Sequence, residues 1–488
     1  MEKYHNPIIK GFHPDPSICK HGNDYYLVTS SFEYLPGIPL FHSKNLINWQ
    51  QIGHCLTNEH QIDIKDTPNS GGIFAPTIRY HQGKFYVITT NISKGNFIVV
   101  SEDLSIGFSK PIWIDINGID PSLYFEGDKV YVQNACFNQN GSFIQQCQID
   151  IKTGKIIEGP YPISYGCGGR DVEAPHIYYR NGYYYLICAE GGTREGHMIT
   201  IQRSHFIYGP YEKCPFNPIV SNRDHPKHLL QAVGHGDLIE DNEGNWWLVA
   251  LATRPYKHRH HLGRETILLP VTWHDGWPGV LDKDAKETYS IASTQPIKQP
   301  KFSFYDTFED NQLRYEYNTI RNFLKNNYVI KNNQLILIAN QETLDTKKTP
   351  VFLGVRQTEI NCSYETKINK LADLDTNAGL AIIMDHLHHM EIGVTLQNQL
   401  YVKKRVGDLE CINKSILIED EIIIGIDASL EYYYFYYKQG KKKHIIDKTY
   451  VKHLCSETSF SPFCGVYGGM FIEGTGIAVF DYFAYQEK

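Results

Sequence analysis

Two Asp-Pro-Ser tripeptides, at Asp15 and Asp120, a Glu-Ala-Pro-His at Glu173 and a His-Gly-Asp at His235 hold the side chains of this sequence best suited to chemistry. Carboxyl groups brought together raise one another's pKa, and burial adds to the effect. One can then stay protonated as an acid while another stays ionised as a base. Cleavage of a glycosidic bond needs that division: a proton for the leaving oxygen and a carboxylate that activates water. A third carboxylate can hold the acid's pKa up and orient it. An acid and base about 6.5–9.5 Å apart leave room for the water and invert the anomeric centre, whereas about 5–5.5 Å gives a covalent intermediate and retention. A single Asp-Pro-Ser is an ordinary turn, because Asp and Ser cap turns and Pro fixes φ. The case for chemistry rests on all four occurring in register.

The register comes from a repeat. DPSICKHGNDYYLVTS (15–30), APTIRYHQGKFYVITT (75–90), DPSLYFEGDKVYVQNA (120–135), APHIYYRNGYYYLICA (174–189) and HGDLIEDNEGNWWLVA (235–250) are one unit five times over. Each has a small or acidic head, a branched apolar fourth residue, a polar turn and an apolar run. The twelfth place is always aromatic: Tyr26, Tyr86, Tyr131, Tyr185 and Trp246. Such self-similarity marks an array of supersecondary units. Each unit reads as a hairpin, and further strands follow most of them, as in NFIVVSEDL (96–104) and HMITIQRSH (197–205). Four strands per unit and almost no helical period predict a five-bladed β-propeller over residues 1–295. The innermost strands then line a central channel, and their heads ring one mouth of it. Asp15, Asp120, Glu173 and His235 meet there, and the ring is open at Ala75 of blade two.

Residues 290–303, SIASTQPIKQPKFS, are polar and aperiodic and read as a linker. Beyond them the repeat vanishes. Short alternating runs such as QLILIAN (334–340), AGLAIIMD (378–385) and EIIIGIDA (421–428) predict a second all-β domain, a sandwich, over 303–488. EYYYFYYK (431–438) lacks clean alternation and is expected to be buried on both faces or at a domain contact.

Aromatic residues at 13%, with 34 Tyr, suit pleated, half-buried surfaces. A net charge of −7 argues against a nucleic-acid footprint, which is basic. No stretch approaches the ~20 apolar residues of a membrane span, and the N-terminus carries no apolar signal-peptide core. Eleven scattered Cys without CxxC spacing read as reduced, buried small hydrophobes. Together these features predict a cytoplasmic protein with no nucleic-acid or membrane partner, and an oligomer is compatible with them.

Near the mouth, Phe32 and Phe74 are candidates for stacking on sugar C–H faces, with core packing as the plain alternative. Arg264, in HLGRETILLPV, stands after blade five and can hold sugar hydroxyls with its fork of donors. It can equally pair with Glu265 or a ring carboxylate. His235 is either a core histidine or a ligand, directly or through water, for a cation in the channel. The clusters His258, His260, His261 and His386, His388, His389 lack the spacing of a zinc site. GCGGR (166–170) reads as a flexible loop that lets the Glu173 strand enter. No P-loop, dinucleotide fingerprint or G-x-S-x-G elbow is present.

NPIIKGFHPDPSI, SSFEY, FHSKNLINWQQIG, SGGIFAPTIRYHQGKFYVITTN, GIDPSLYFE, VEAPHIYYRNGYYYLICAEGGT, GHGDLIEDNEGNWWLV and LGRETILLPVTW resemble, in order, glycoside hydrolase family 43. The likeness is greatest to its β-xylosidase and α-L-arabinofuranosidase branch. It runs through nearly all of residues 5–280, and YDTFEDNQL and FDYFAY resemble the accompanying sandwich more weakly. The resemblance implies an inverting propeller enzyme acting on xylan-derived sugars. It implies Asp15 as general base, Asp120 as pKa modulator, Glu173 as general acid, Arg264 as a sugar contact, and Phe32 and Phe74 as the aromatic wall. It also implies no cofactor for the chemistry and, in some members, a hydrated calcium beside the residue here numbered His235.

Two departures matter. Asp171-Val172 precedes the acid, and Asp171 adds charge that moves its pKa. The sandwich end is short, so YGGMFIEGTG (467–476) is expected not to reach the pocket. The expected activity is exo-acting removal of terminal α-L-arabinofuranosyl or β-1,4-D-xylosyl residues, or both, from xylo- or arabinoxylo-oligosaccharides. The alternatives are an endo-arabinanase and a non-catalytic carbohydrate-binding propeller.

Overall fold

The computed structural model describes residues 2–291, 297–369, 371, 375–395, 397–417, 421–459 and 461–488. Part of the expected linker, and with it the domain boundary at 295, lies outside the described residues. Among those described, five antiparallel sheets of four strands follow the repeat. Their inner strands are Ser17–His21, Thr77–His81, Ile119–Glu126, Glu173–Arg180 and Gln231–Glu240. These strands stand side by side. The Ser17 hydroxyl accepts from the Ile78 N–H and donates to Asp237. The Thr77 hydroxyl donates to the Pro121 carbonyl. Blade five thus meets blade one, and the ring closes. The N-terminal segment reinforces the closure. Glu2–His5 pairs with Thr288–Ile291, and the Asn6 amide bonds both polar groups of Leu268.

The twelfth-place aromatics are explained by the blade junctions. Tyr26 lies 4.8 Å from Phe85 of blade two, and Tyr86 lies 5.1 Å from Phe125 of blade three. Tyr185 of blade four meets Trp273 of blade five edge-on at 5.1 Å. Such pairs add about 0.5–1.5 kcal/mol beyond their buried area. Repeating them stiffens the ring that positions the heads. Trp246 differs, packing on Trp273 of its own blade.

The heads are set by backbone geometry. In blades three, four and five the inner strand carries one extra residue at the same place: between Ile119 and Ser122, Glu173 and His176, and Gly234 and Asp237. These are β-bulges, which re-aim a side chain out of the ladder. The head residues Asp15, Asp120, Ala174 and His235 have φ of 54°, 52°, 50° and 48°. Left-handed backbone is uncommon for residues with a Cβ and gathers at functional sites.

The described residues of 303–488 form a sandwich of an eight-stranded and a six-stranded sheet, with Leu353, Tyr364, Leu380, Ile392, Ile424 and Phe480 in the core between them. Within Tyr432–Gln439, Tyr433 and Phe435 face that core while Tyr432 and Tyr434 are half-exposed. The strand is therefore one-sided, and aromatic residues on both faces hide its alternation. Two-sided burial holds only at Tyr436, which is covered by the Lys443 amine 3.5 Å from its ring and bonded to Glu365. The domains are bonded to each other. Thr319–Ile320 pairs with Tyr34–Leu35, and Arg254 bridges Glu265 of the propeller to Glu359 of the sandwich. No helix among the described residues is long and apolar enough to cross a membrane.

Candidate active site

Asp15 is buried immediately before the first inner strand. Its carboxylate accepts from Arg264 Nη1 at 2.9 Å and Nη2 at 3.4 Å, and from the Ser30 hydroxyl. Arg264 leads the third strand of blade five, not a strand after it. Its partner is Asp15, whereas Glu265 is occupied by Arg254. Asp120 is buried opposite, and the Ala174 N–H donates to it. That bond ties Asp120 to the residue next to Glu173. Burial, then Glu173, then Asp15 push the Asp120 carboxyl well above the usual range. Glu173 is half-buried at the start of its strand, and burial, Asp171 and Asp15 raise it to about 7. Arg264 opposes both shifts without cancelling them. The expected influence of Asp171 on the acid is therefore present. The mouth holds three mutually repelling carboxyls, at least one of which is protonated near neutral pH.

The approach to Glu173, expected as a flexible loop at 166–170, is tied down by hydrogen bonds. The buried Glu190 carboxylate accepts from the N–H groups of Cys167 and Gly169, both at 2.7 Å, and from the Thr200 hydroxyl at 2.6 Å.

Phe32 and Phe74 lie 5.1 Å apart beside Arg264, whose guanidinium carbon is 5.6 Å from the Phe32 ring. A third ring completes this wall. Phe463, from the sandwich, stacks on Phe32 at 5.7 Å, meets Phe74 edge-on at 6.2 Å and lies 5.3 Å from the Arg264 guanidinium. The sandwich does reach the mouth, through residues just before the 467–476 segment. Tyr467–Gly474 itself is a buried strand of the six-stranded sheet. No repeat or motif marks Phe463, because it belongs to the other domain. His197, buried beneath His235 with its Nδ1 3.1 Å from the Ala232 carbonyl, likewise carries no sequence signal.

His235 lies at the mouth with Nδ1 3.6 Å from Asp15, too far for a hydrogen bond, and burial lowers its pKa so that the ring is neutral. Calcium takes six to eight oxygen ligands. Among the described residues no group of three or more His, Cys, Asp or Glu is arranged to hold a metal ion. Direct side-chain ligation of a calcium ion is therefore not offered at His235 by the described residues. In the two histidine clusters, His260 binds Glu457 and His388 binds Asp385.

The profile described as glycosyl hydrolases family 43 matches residues 4–278, and that of the beta xylosidase C-terminal Concanavalin A-like domain matches 305–486. The chain is 37% identical to a non-reducing end alpha-L-arabinofuranosidase of Bacteroides ovatus, over 98% of this chain and 93% of that protein. It is 32% identical to a beta-xylosidase of Bacillus subtilis, covering all of both. A solved structure of a xylan beta-1,4-xylosidase from Bacillus halodurans superposes with a TM-score of 0.93 at 30% identity, over 99% of this chain and 100% of that one.

Proposed function

The chain belongs to glycosyl hydrolase family 43, and we propose that it is an exo-acting, inverting glycosidase. It removes terminal α-L-arabinofuranosyl residues, β-1,4-D-xylosyl residues or both from xylan-derived oligosaccharides. One observation carries this reading: the three carboxyls Asp15, Asp120 and Glu173 share one guanidinium, Arg264, beneath a wall of three phenylalanines.

Asp15 is the general base. Its charge is held by Arg264 and Ser30, and it takes a proton from the water that attacks the anomeric carbon. Glu173 is the general acid. With a pKa near 7 it carries the proton that the leaving oxygen needs. Asp120 positions the acid through its bond to the N–H of Ala174, the residue next to Glu173. Phe32, Phe74 and Phe463 take the apolar face of the sugar, and Arg264 takes its hydroxyls as well as Asp15. A wall built from both domains favours a closed pocket and chain-end attack over the open groove of an endo-acting enzyme. The eleven unpaired cysteines support a cytoplasmic setting. There the substrates are oligosaccharides rather than polymer.

The test is kcat/KM on aryl β-D-xylopyranoside and aryl α-L-arabinofuranoside, with Asp15→Ala as blank. Turnover of at least one, lost in Asp15→Ala and giving a product of inverted anomeric configuration by NMR, is expected. Binding without turnover would overturn the catalytic reading.

A further inference from the structure

Glu33 is a buried carboxylate that the chemistry above does not use. It follows Phe32 of the aromatic wall and is 2% exposed. Three segments converge on it. The Ser70 N–H donates to both of its oxygens, at 3.0 and 3.1 Å. The Cys464 thiol donates to Oε2 at 3.2 Å. Its backbone carbonyl accepts from the Arg321 N–H of the sandwich at 2.8 Å. Around this point the contacts interlock. The Ser70 hydroxyl lies 3.5 Å from the Cys464 sulfur and 3.2 Å from the Phe463 nitrogen, from which it accepts. Arg321 holds the 67–69 loop through the Thr67 carbonyl at 2.6 Å and Asn69 Oδ1 at 2.7 Å. Gly72 packs so closely that a Cβ there would lie 2.3 Å from the Phe32 carbonyl.

The Ser70 and Cys464 segments and that of Glu33 itself each carry one ring of the wall within four residues: Phe74, Phe463 and Phe32. On one side the stretch around Phe463 is held by Ser70 and Glu33. Its far side rests on the 261–264 segment, where the Val466 N–H bonds the His261 carbonyl. A void of about 10 Å³ beside Glu33 has room for one water at most, so Glu33 does not itself hold a ligand.

We propose that Glu33 is a positioning residue of the sugar pocket. Through Ser70 and Cys464 it docks residues 461–466 of the sandwich, so that Phe463 closes the wall. The sandwich is then part of the specificity site, and its contribution passes through one carboxylate. This rests on the pocket reading above. The charge need not be complete, because both contacts ask only for acceptor oxygens. Glu33→Gln keeps one such oxygen and the side-chain volume, whereas Glu33→Ala keeps neither.

Two readouts test it. In Glu33→Ala, amide hydrogen exchange should accelerate at 461–466 and not in the sandwich core. KM for the preferred aryl glycoside should rise about three- to tenfold with kcat within about twofold, the pattern of lost ground-state contact. Phe463→Ala should raise KM similarly. The double variant should be no worse than the worse single, because both remove one interaction. Glu33→Gln should restore most of the KM. Unchanged exchange in Glu33→Ala overturns the docking. Additive KM effects, or a loss in kcat alone, overturn the link to the pocket. If Glu33→Ala does not fold, Cys464→Ala removes one contact and should give the same pattern in smaller measure, and an unaltered loop and KM there would overturn the proposal. A wild type that hydrolyses neither glycoside would defeat the functional reading only, and the exchange result would still decide the docking.

Discussion

Two layers of the same channel hold buried carboxylates, and they are partnered in opposite ways. At the mouth, Asp15, Asp120 and Glu173 share Arg264. Two residues further along the inner strands, Asp237 has more partners than it needs. It accepts from the Ser17 hydroxyl at 2.6 Å, the Ile18 N–H at 3.0 Å, Arg79 at 2.7 and 3.1 Å, and the Tyr178 hydroxyl. Burial pushes Asp237 up, but Arg79, His176 and these hydrogen bonds outweigh it and hold the group below the usual carboxylate range. At the mouth burial and like charge win, and Glu173 rises to about 7. Both layers are built on the inner strands of the blades, and Asp15 and Asp120 are buried as Asp237 is. What separates architecture from chemistry is the shortage of compensating donors, next to an opening lined by aromatic rings.

The largest expected effect lies at the mouth. Asp15→Ala, Glu173→Ala and Asp120→Ala should each cut kcat by about 10²–10⁴-fold, the range of general acid and base catalysis. Asp15→Ala also takes the ion-pair partner from buried Arg264, whereas for Glu173 and Asp120 stability should hold or improve, because each change relieves repulsion. Asp237→Asn should do the reverse. It leaves the buried Arg79 short of its counter-charge and should destabilise the fold by about 3–5 kcal/mol, read as a lower denaturant midpoint. An Asp237 variant as stable as wild type, or a Glu173 or Asp120 variant that unfolds, would break the distinction between the layers.

This contrast was only half legible in the sequence. The five heads were visible because a propeller repeats its unit, and repetition puts Asp15, Asp120 and His235 in register. The one-place offset of Glu173 could be read from the Ala-Pro-His that follows it. The lower layer was not legible. Asp237 is the third residue of its unit, and its partner Arg79 is the fifth residue of another, so no local pattern links them. Phe463 and Glu33 were hidden for the same reason on a larger scale, since the bond from Cys464 to Glu33 that links them joins residues 431 positions apart across two domains. The 166–170 loop looked flexible from its glycines, yet a carboxylate twenty residues later pins it. Short-range pattern reveals what the backbone repeats, but not which side chains from different strands satisfy one another.

A smaller effect should sharpen the account of the guanidinium. Arg264→Lys keeps one positive charge but loses the planar fork that meets Asp15 with two nitrogens. Loss of a charge-assisted hydrogen bond of about 1.5–3 kcal/mol should lower kcat/KM by roughly ten- to a hundredfold. A lysine variant with full kcat/KM would show that charge alone suffices at the mouth.

The smallest effect concerns pH and tests whether repulsion sets the acid. As the proposed general acid, Glu173 has to be protonated, so kcat should fall as pH rises through about 7. After burial, Asp171 is the next cause of that raised value. Asp171→Asn should therefore move the alkaline limb to lower pH, without changing activity well below it. Stability follows the same sign. Because Glu173 is raised in the fold above its ordinary value of 4.5, its favourable contribution is present below that pH and is lost as pH rises through about 7. Asp171→Asn should flatten this loss. A kcat–pH profile that does not move, alongside an unchanged slope of stability between pH 5 and 7, would mean that burial alone tunes the acid. The contrast between the two layers would then rest on desolvation rather than on unshared charge.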